Sequence, residues 1–133
     1  MKLESKTGRI PFSDERIYNF LTDFNNFKHL VPKDKIRDWQ SDENSCRFSI
    51  DFIGAMGVKI IEKEPFTRIK LSGIDDNKYS LAFLAELNKL TDNETAIKFT
   101  LEADLNPMLQ MMAKKPLQDF LDRLVDQLSG YSF

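Results

Sequence analysis

Few residues in this sequence have side chains that could carry out chemistry. His29 is the only histidine and Cys46 the only cysteine. A cysteine and a histidine that meet in space can act as nucleophile and base. The sequence around Cys46 points elsewhere. Cys46, Phe48, Ile50 and Phe52 alternate with Arg47, Ser49 and Asp51, so Cys46 shares the apolar parity, and a buried cysteine packs as a small hydrophobe. His29 lies in a short turn that reads as surface. One histidine and one cysteine cannot make a zinc cluster, an HExxH site or an internal disulfide. The acidic stretches Asp75–Asn77 and Asp92–Glu94 fall where hairpin turns belong and lack the spacing of a calcium loop. No GxGxxG and no phosphate-binding GxxxxGK[ST] is present. No metal and no cofactor is expected.

Glu62 is the sharper candidate. Strand parity places it on the inward face, opposite Ile69, and an inward carboxylate must find a partner or rise in pKa. In a cavity it could serve as an acid–base group or bind a ligand hydroxyl; at a frayed strand end it would reach solvent. Arg37 takes the same inward parity if Trp39 faces in, unless an irregularity in the strand reverses it. Three methionines, Met108, Met111 and Met112, crowd the start of the last helix. Met108 and Met112 fall beside its inward face and either fill core irregularities or border an opening. The segment FIGAMG, Phe52 to Gly57, is greasy for a hairpin connection, and exposed apolar clusters mark binding sites.

The elements that must position these residues follow from periodicity. Leu3 to Ile10 reads as a first strand. Ser13 fits a helix N-cap, with Asp14 and Glu15 in the first turn and Ile17, Phe20, Leu21 and Phe24 as the apolar stripe. Asn25 and Asn26 break that helix, and a short helical turn from Phe27 to Leu30 leads to Pro32. The period then changes to two through six segments separated by short turn-like stretches, the pattern of an antiparallel meander with one buried face. Parity sets Trp39 opposite Phe48, Ser41 opposite Cys46, Ile60 opposite Leu71, Leu87 opposite Ile97 and Phe83 opposite Leu101. Such a sheet needs a cover. Asn106 to Leu128 supplies it: Asn106 caps, Pro107 stands at the first helical position, and Leu109, Ala113, Pro116, Leu117, Phe120, Leu124 and Leu128 share a face. Pro116 is expected to bend the helix over a concave surface.

Composition narrows the class. The chain has 133 residues, 41% hydrophobic and 30% charged, with a net charge of −2. That suits one soluble domain spanning 1–133. Mixed charge argues against a nucleic-acid partner. No apolar run approaches a membrane span, and MKLESKTGRI lacks a signal-peptide core, so a cytoplasmic protein is expected. Eleven phenylalanines supply apolar area for a core or a cavity lining.

The order strand, two helices, six-strand meander and long final helix resembles the START-like, or SRPBCC, superfamily with its helix-grip fold. DERIYNFLTDFNNFKHLVP is similar to that family's first helix pair, and IIEKEPFTRIKLSG to two of its strands around an acidic-Pro turn at Glu64–Pro65. The nearest group is the small bacterial polyketide cyclase/dehydrase-like and coenzyme-Q-binding-like proteins. The resemblance implies an α+β fold: a curved sheet of about seven strands around a long C-terminal helix, with a cavity between them for a lipid-, polyketide- or quinone-like molecule. Its expected lining is Trp39, Phe48, Ile50, Ile60, Glu62, Leu71, Phe83, Phe99, Leu109, Met112, Pro116 and Phe120. The mouth would be Phe52, Ile53, Met56 and Met108. Three readings follow: a binding or carrier protein, an interaction module docking through FIGAMG on itself or another protein, and a cyclase- or dehydratase-type enzyme using Glu62.

Overall fold

A computed structural model describes residues 1–31, 34, 36–50, 54–74 and 79–131. Pro32, Phe52, Ile53 and the stretch Asp75–Asn77 lie outside the described residues.

The meander is present as β3 (Ile36–Ser41), β4 (Ser45–Ile50), β5 (Gly54–Glu64), β6 (Arg68–Gly73), β7 (Leu81–Thr91) and β8 (Glu94–Ala103), each antiparallel to the next. The chain's first segment lies along β8 and closes the other edge. The expected single strand is two, β1 (Lys2–Glu4) and β2 (Gly8–Ile10), which brings the sheet to eight strands among the described residues. Ser5 bridges the gap between them. Its N–H donates to the Phe99 carbonyl at 2.8 Å, and its hydroxyl accepts from the Phe99 N–H at 2.9 Å. The buried backbone thus stays paired where the ladder is interrupted.

The pairs Ile60↔Leu71, Leu87↔Ile97, Phe83↔Leu101 and Ser41↔Cys46 form as parity requires. Two irregularities change the rest. In β3 the register shifts between Arg37 and Gln40, and Asp38 adopts a φ of 56°. The extra residue puts Ile36 opposite Ile50 and sends Arg37 outward beside Ser49, while Trp39 still stacks on Phe48 with ring centroids 5.8 Å apart. In β5 the register shifts between Ile60 and Glu62. The extra residue is Ile61, which is exposed. Glu62 therefore pairs with Lys70 and not with Ile69. A third correction concerns FIGAMG: Gly54 to Gly57 belongs to β5, and Met56 pairs with Phe48. Next to it, the Ile74 side chain occupies the place where a Cβ on Gly57 would stand, so glycine is needed for that close approach.

The helices between β2 and β3 are α1 (Asp14–Leu21) and α2 (Phe24–Phe27). Ser13 caps α1 by accepting from the Arg16 N–H at 3.2 Å. Asp23 caps α2 by accepting from the Asn25 N–H at 2.9 Å, so Asn25 and Asn26 sit inside the second helix and not in a break before it.

The cover is α3 (Pro107–Gly130). Asn106 accepts from the Leu109 N–H at 2.9 Å, and Pro107 stands at the first position, where it has no N–H to lose. The helix continues through Pro116. Its buried residues are Ala113, Leu117, Leu121, Leu124, Val125 and Leu128, with Leu109 and Phe120 half-buried beside them. Leu121 and Val125 enter the buried face, and Pro116 leaves it for solvent. The carbonyl that Pro116 leaves without a donor is that of Met112, a residue half in water, where solvent can satisfy it.

At its far end α3 crosses β2 at Gly8, where the Val125 side chain fills the place a Cβ would take. We expect Gly8→Ala to destabilise by about 1–3 kcal/mol, since a β-branched valine in a packed seam has little room to yield. Leu124→Ala should cost about 2–5 kcal/mol, whereas Met112→Ala, on a half-exposed side chain, should cost under about 1 kcal/mol. Urea unfolding of the three variants against the parent checks both statements.

Candidate functional site

The sheet's apolar face and α3 do not close completely. Between them lies a cavity of about 80 Å³. The sheet contributes Trp39, Cys46, Phe48, Ile50, Met56, Val58, Leu71, Leu81, Phe83, Leu101 and Ala103, and α3 contributes Leu117, Phe120 and Leu124. Phe24, Phe27 and Val31, from α2 and the turn after it, close one end with Ile36, and Leu105 closes another. Val31, Trp39, Phe48, Ile50, Leu81 and Phe120 are half-buried, while the other lining residues are buried. These six are the lining residues that also reach solvent.

The local cause is strand alternation modified by the two bulges. Cys46, Phe48 and Ile50 share one face of β4. The Asp38 bulge brings Ile36 to the same side as Trp39. Ring packing then rigidifies the wall: Trp39 stacks on Phe48, and Phe83 meets Phe99 with centroids 5.5 Å apart. Every lining residue is apolar, and the only side-chain heteroatoms among them are the Met56 thioether sulfur, the Cys46 thiol and the Trp39 indole nitrogen. The Cys46 thiol is pushed up to about 12 by burial, against the smaller lowering effect of a hydrogen bond with the Val58 backbone. Among the described residues the buried Trp39 indole N–H has no acceptor. Leaving such a donor unpaired costs roughly 1–3 kcal/mol.

Of the expected lining, Trp39, Phe48, Ile50, Leu71, Phe83 and Phe120 are brought together here. Phe99 is fully buried behind Phe83, as core and not as wall. Ile60 and Leu109 pack partly buried against the core without reaching the space. Pro116 and Met112 are corrected outright: Pro116 faces solvent, and Met112 is 48% exposed. Met56, expected at the mouth, is buried in the wall, and Met108, expected beside it, is 72% exposed. Glu62 lies on the outer face with its Oε2 3.9 Å from the Lys70 Nζ, both side chains about half exposed. The bulge at Ile61 is the reason, and it ends any role for Glu62 inside the cavity. His29 is exposed and faces the Tyr131 ring at 6.1 Å, while Cys46 is buried, so the nucleophile–base reading has no geometry behind it. Among the described residues no group of three His, Cys, Asp or Glu side chains could hold a metal ion.

Sequence reasoning missed the wall contributed by Phe24, Phe27, Val31 and Ile36. Phe24 carried a signal as the last member of the α1 stripe. Ile36 carried none, because its parity depends on the bulge.

No protein-family model and no curated protein matches the sequence. Solved structures do match. A START superfamily protein from Mycobacterium smegmatis is 16% identical, with a TM-score of 0.68 over 97% of this chain and 94% of that one. The protein XoxI from Bacillus cereus is 8% identical, with a TM-score of 0.72 over 96% and 92%. A Chromobacterium violaceum protein is 15% identical, with a TM-score of 0.66 over 98% of each chain. The fold is therefore START-like, with the curved antiparallel sheet and long C-terminal helix of the helix grip. Among the described residues no helix is long and apolar enough to cross a membrane.

The raised thiol has a measurable consequence. Between its ordinary value of 9.0 and about 12, an unfolded chain loses the Cys46 proton while the folded one keeps it. The stability this contributes is complete below pH 9 and declines as pH rises toward 12. Cys46→Ala should show a shallower alkaline loss than the parent in urea unfolding. In the parent, a thiol reagent at neutral pH should label Cys46 only after unfolding.

Proposed function

We propose that this START-like chain binds the apolar part of a hydrophobic or amphipathic small molecule in the cavity between sheet and α3, as a binding or carrier protein. The observation that carries the reading is the cavity itself: wholly apolar, framed by sheet and helix, and lined in part by half-buried side chains. Ligand pockets of this kind are mostly apolar with few polar groups.

Magnitudes refine the proposal. A cavity of about 80 Å³ left empty costs about 2 kcal/mol at the usual penalty per unit volume, which an occupant would recover. It is smaller than an engineered cavity of roughly 150 Å³ that takes up benzene. A larger guest must therefore displace part of the half-buried lining. Trp39, Phe48 and Phe120 are among the half-buried lining side chains that it would displace. An oxygen of the guest that reached the Trp39 N–H as that lining opened would satisfy the orphaned donor, which favours amphipathic guests over pure hydrocarbons.

The enzyme reading built on Glu62 loses its acid–base group to solvent. The interaction reading required a filled core and a greasy loop; the core has a space, and Gly54 to Gly57 is strand.

Trp39 is the only tryptophan, so its fluorescence reports on the site. Titration with long-chain fatty acids and with a prenylated quinone should quench or shift that emission saturably. Ala103→Leu, which grows a side chain into the space, should abolish the change without lowering the melting temperature. A flat titration for every probe, together with no apolar molecule in a solvent extract of the purified protein, would sink the carrier reading.

A further inference from the structure

Away from the cavity, the outer face of α3 is divided along its length. Its first half presents Met108, Met111 and Met112, which are 72%, 84% and 48% exposed. With Lys115 they follow the i, i+3, i+4, i+7 spacing of one helical face, and Lys114 flanks them. Both lysines are exposed and form no ion pair among the described residues. From Leu105 to Gln118 there is no acidic residue. The second half reverses sign with Asp119, Asp122 and Asp126, of which Asp122 and Asp126 are tied to Lys6.

This order runs against the helix dipole, which favours acidic residues at the N-terminal end and basic ones at the C-terminal end. The first turn of α3 has no acidic residue and the last turn no basic one. Two independent features thus point the same way: an exposed apolar ridge, and a positive end that the helix does not need for its own stability. Methionine is flexible and polarisable, suited to a soft and irregular surface. The ridge is convex, whereas a partner helix seeks a groove. A second copy docking symmetrically on this face would bring like lysines together. An apolar ridge collared by lysines suits the interface of an anionic bilayer.

We propose that the first half of α3 is a peripheral docking surface for anionic lipid bilayers. Met108, Met111 and Met112 enter the headgroup boundary, Lys114 and Lys115 meet the lipid charges, and the acidic half of the helix is held away. The surface lies outside the cavity, and the proposal does not depend on any cavity ligand.

The test is co-sedimentation of the full chain with vesicles of phosphatidylcholine alone and of phosphatidylcholine mixed with phosphatidylglycerol. Binding is expected only to the mixed vesicles, and to weaken with salt. Lys114→Gln with Lys115→Gln should lower partitioning roughly tenfold or more, and Met111→Ser with Met112→Ser should lower it by a similar factor. Both double variants should keep the parent's melting temperature. Ile61→Ser with Leu90→Ser, at exposed apolar residues elsewhere, should bind as the parent does. Three results would overturn the proposal: equal binding to neutral vesicles, binding unaffected by the α3 variants, or a self-association that the methionine variants abolish, which would assign the face to a second copy.

Discussion

The structure depends on one constraint: an antiparallel sheet with a single apolar face must be covered. The meander puts Phe83, Phe99, Leu101, Ile69 and Leu71 on that face, and among the described residues no further sheet packs against it. Alpha3 answers with Leu117, Leu121, Leu124, Val125 and Leu128, three of them with no solvent exposure at all. A cylinder laid across a curled sheet cannot touch it equally along its length. Contact is close at Gly8, where Val125 occupies the place of a missing Cβ. Around Leu117, Phe120 and Leu124 a space remains between the layers. Cavity and core are two outcomes of one packing problem.

The bulges have a separate role. Without the extra residue at Asp38, Arg37 would face the same side as Trp39, and a charged group would stand in the cavity wall. Without Ile61, Glu62 would be turned toward the core. Each insertion exports a charge and keeps the lining apolar, so the chemical character of the site is set by backbone irregularity as much as by residue choice. The strain is local: Asp38 takes a left-handed φ that a small polar side chain tolerates.

The two faces of α3 suggest a division of labour. The inner face is leucine-rich and rigid in its packing. The outer face is polarised, with apolar and basic character where the helix begins and acidic character where it ends. Pro116 fits this arrangement on the outside, because a proline in an exposed position leaves an unpaired carbonyl where water can reach it.

Sequence alone determined the class, the order of elements and most of the cover. Period-two alternation names the strands, capping residues Ser13 and Asn106 name two helix starts, and a one-faced sheet implies a helix laid over it. These signals are local and survive without coordinates. It also placed Phe48, Ile50, Leu71 and Phe83 on one face, since parity is enough for residues in regular ladder, and the helical wheel turned Phe120 toward them. Only the tertiary structure decided what parity cannot carry: the outward turn of Glu62 and Arg37, the entry of Ile36 and Phe24 into the wall, the exposure of Pro116 and Met112, and the size of the space. A one-residue insertion inverts every assignment beyond it, and a helical wheel leaves the rotation of a helix uncertain by a residue or more. Both are settled only when the layers pack.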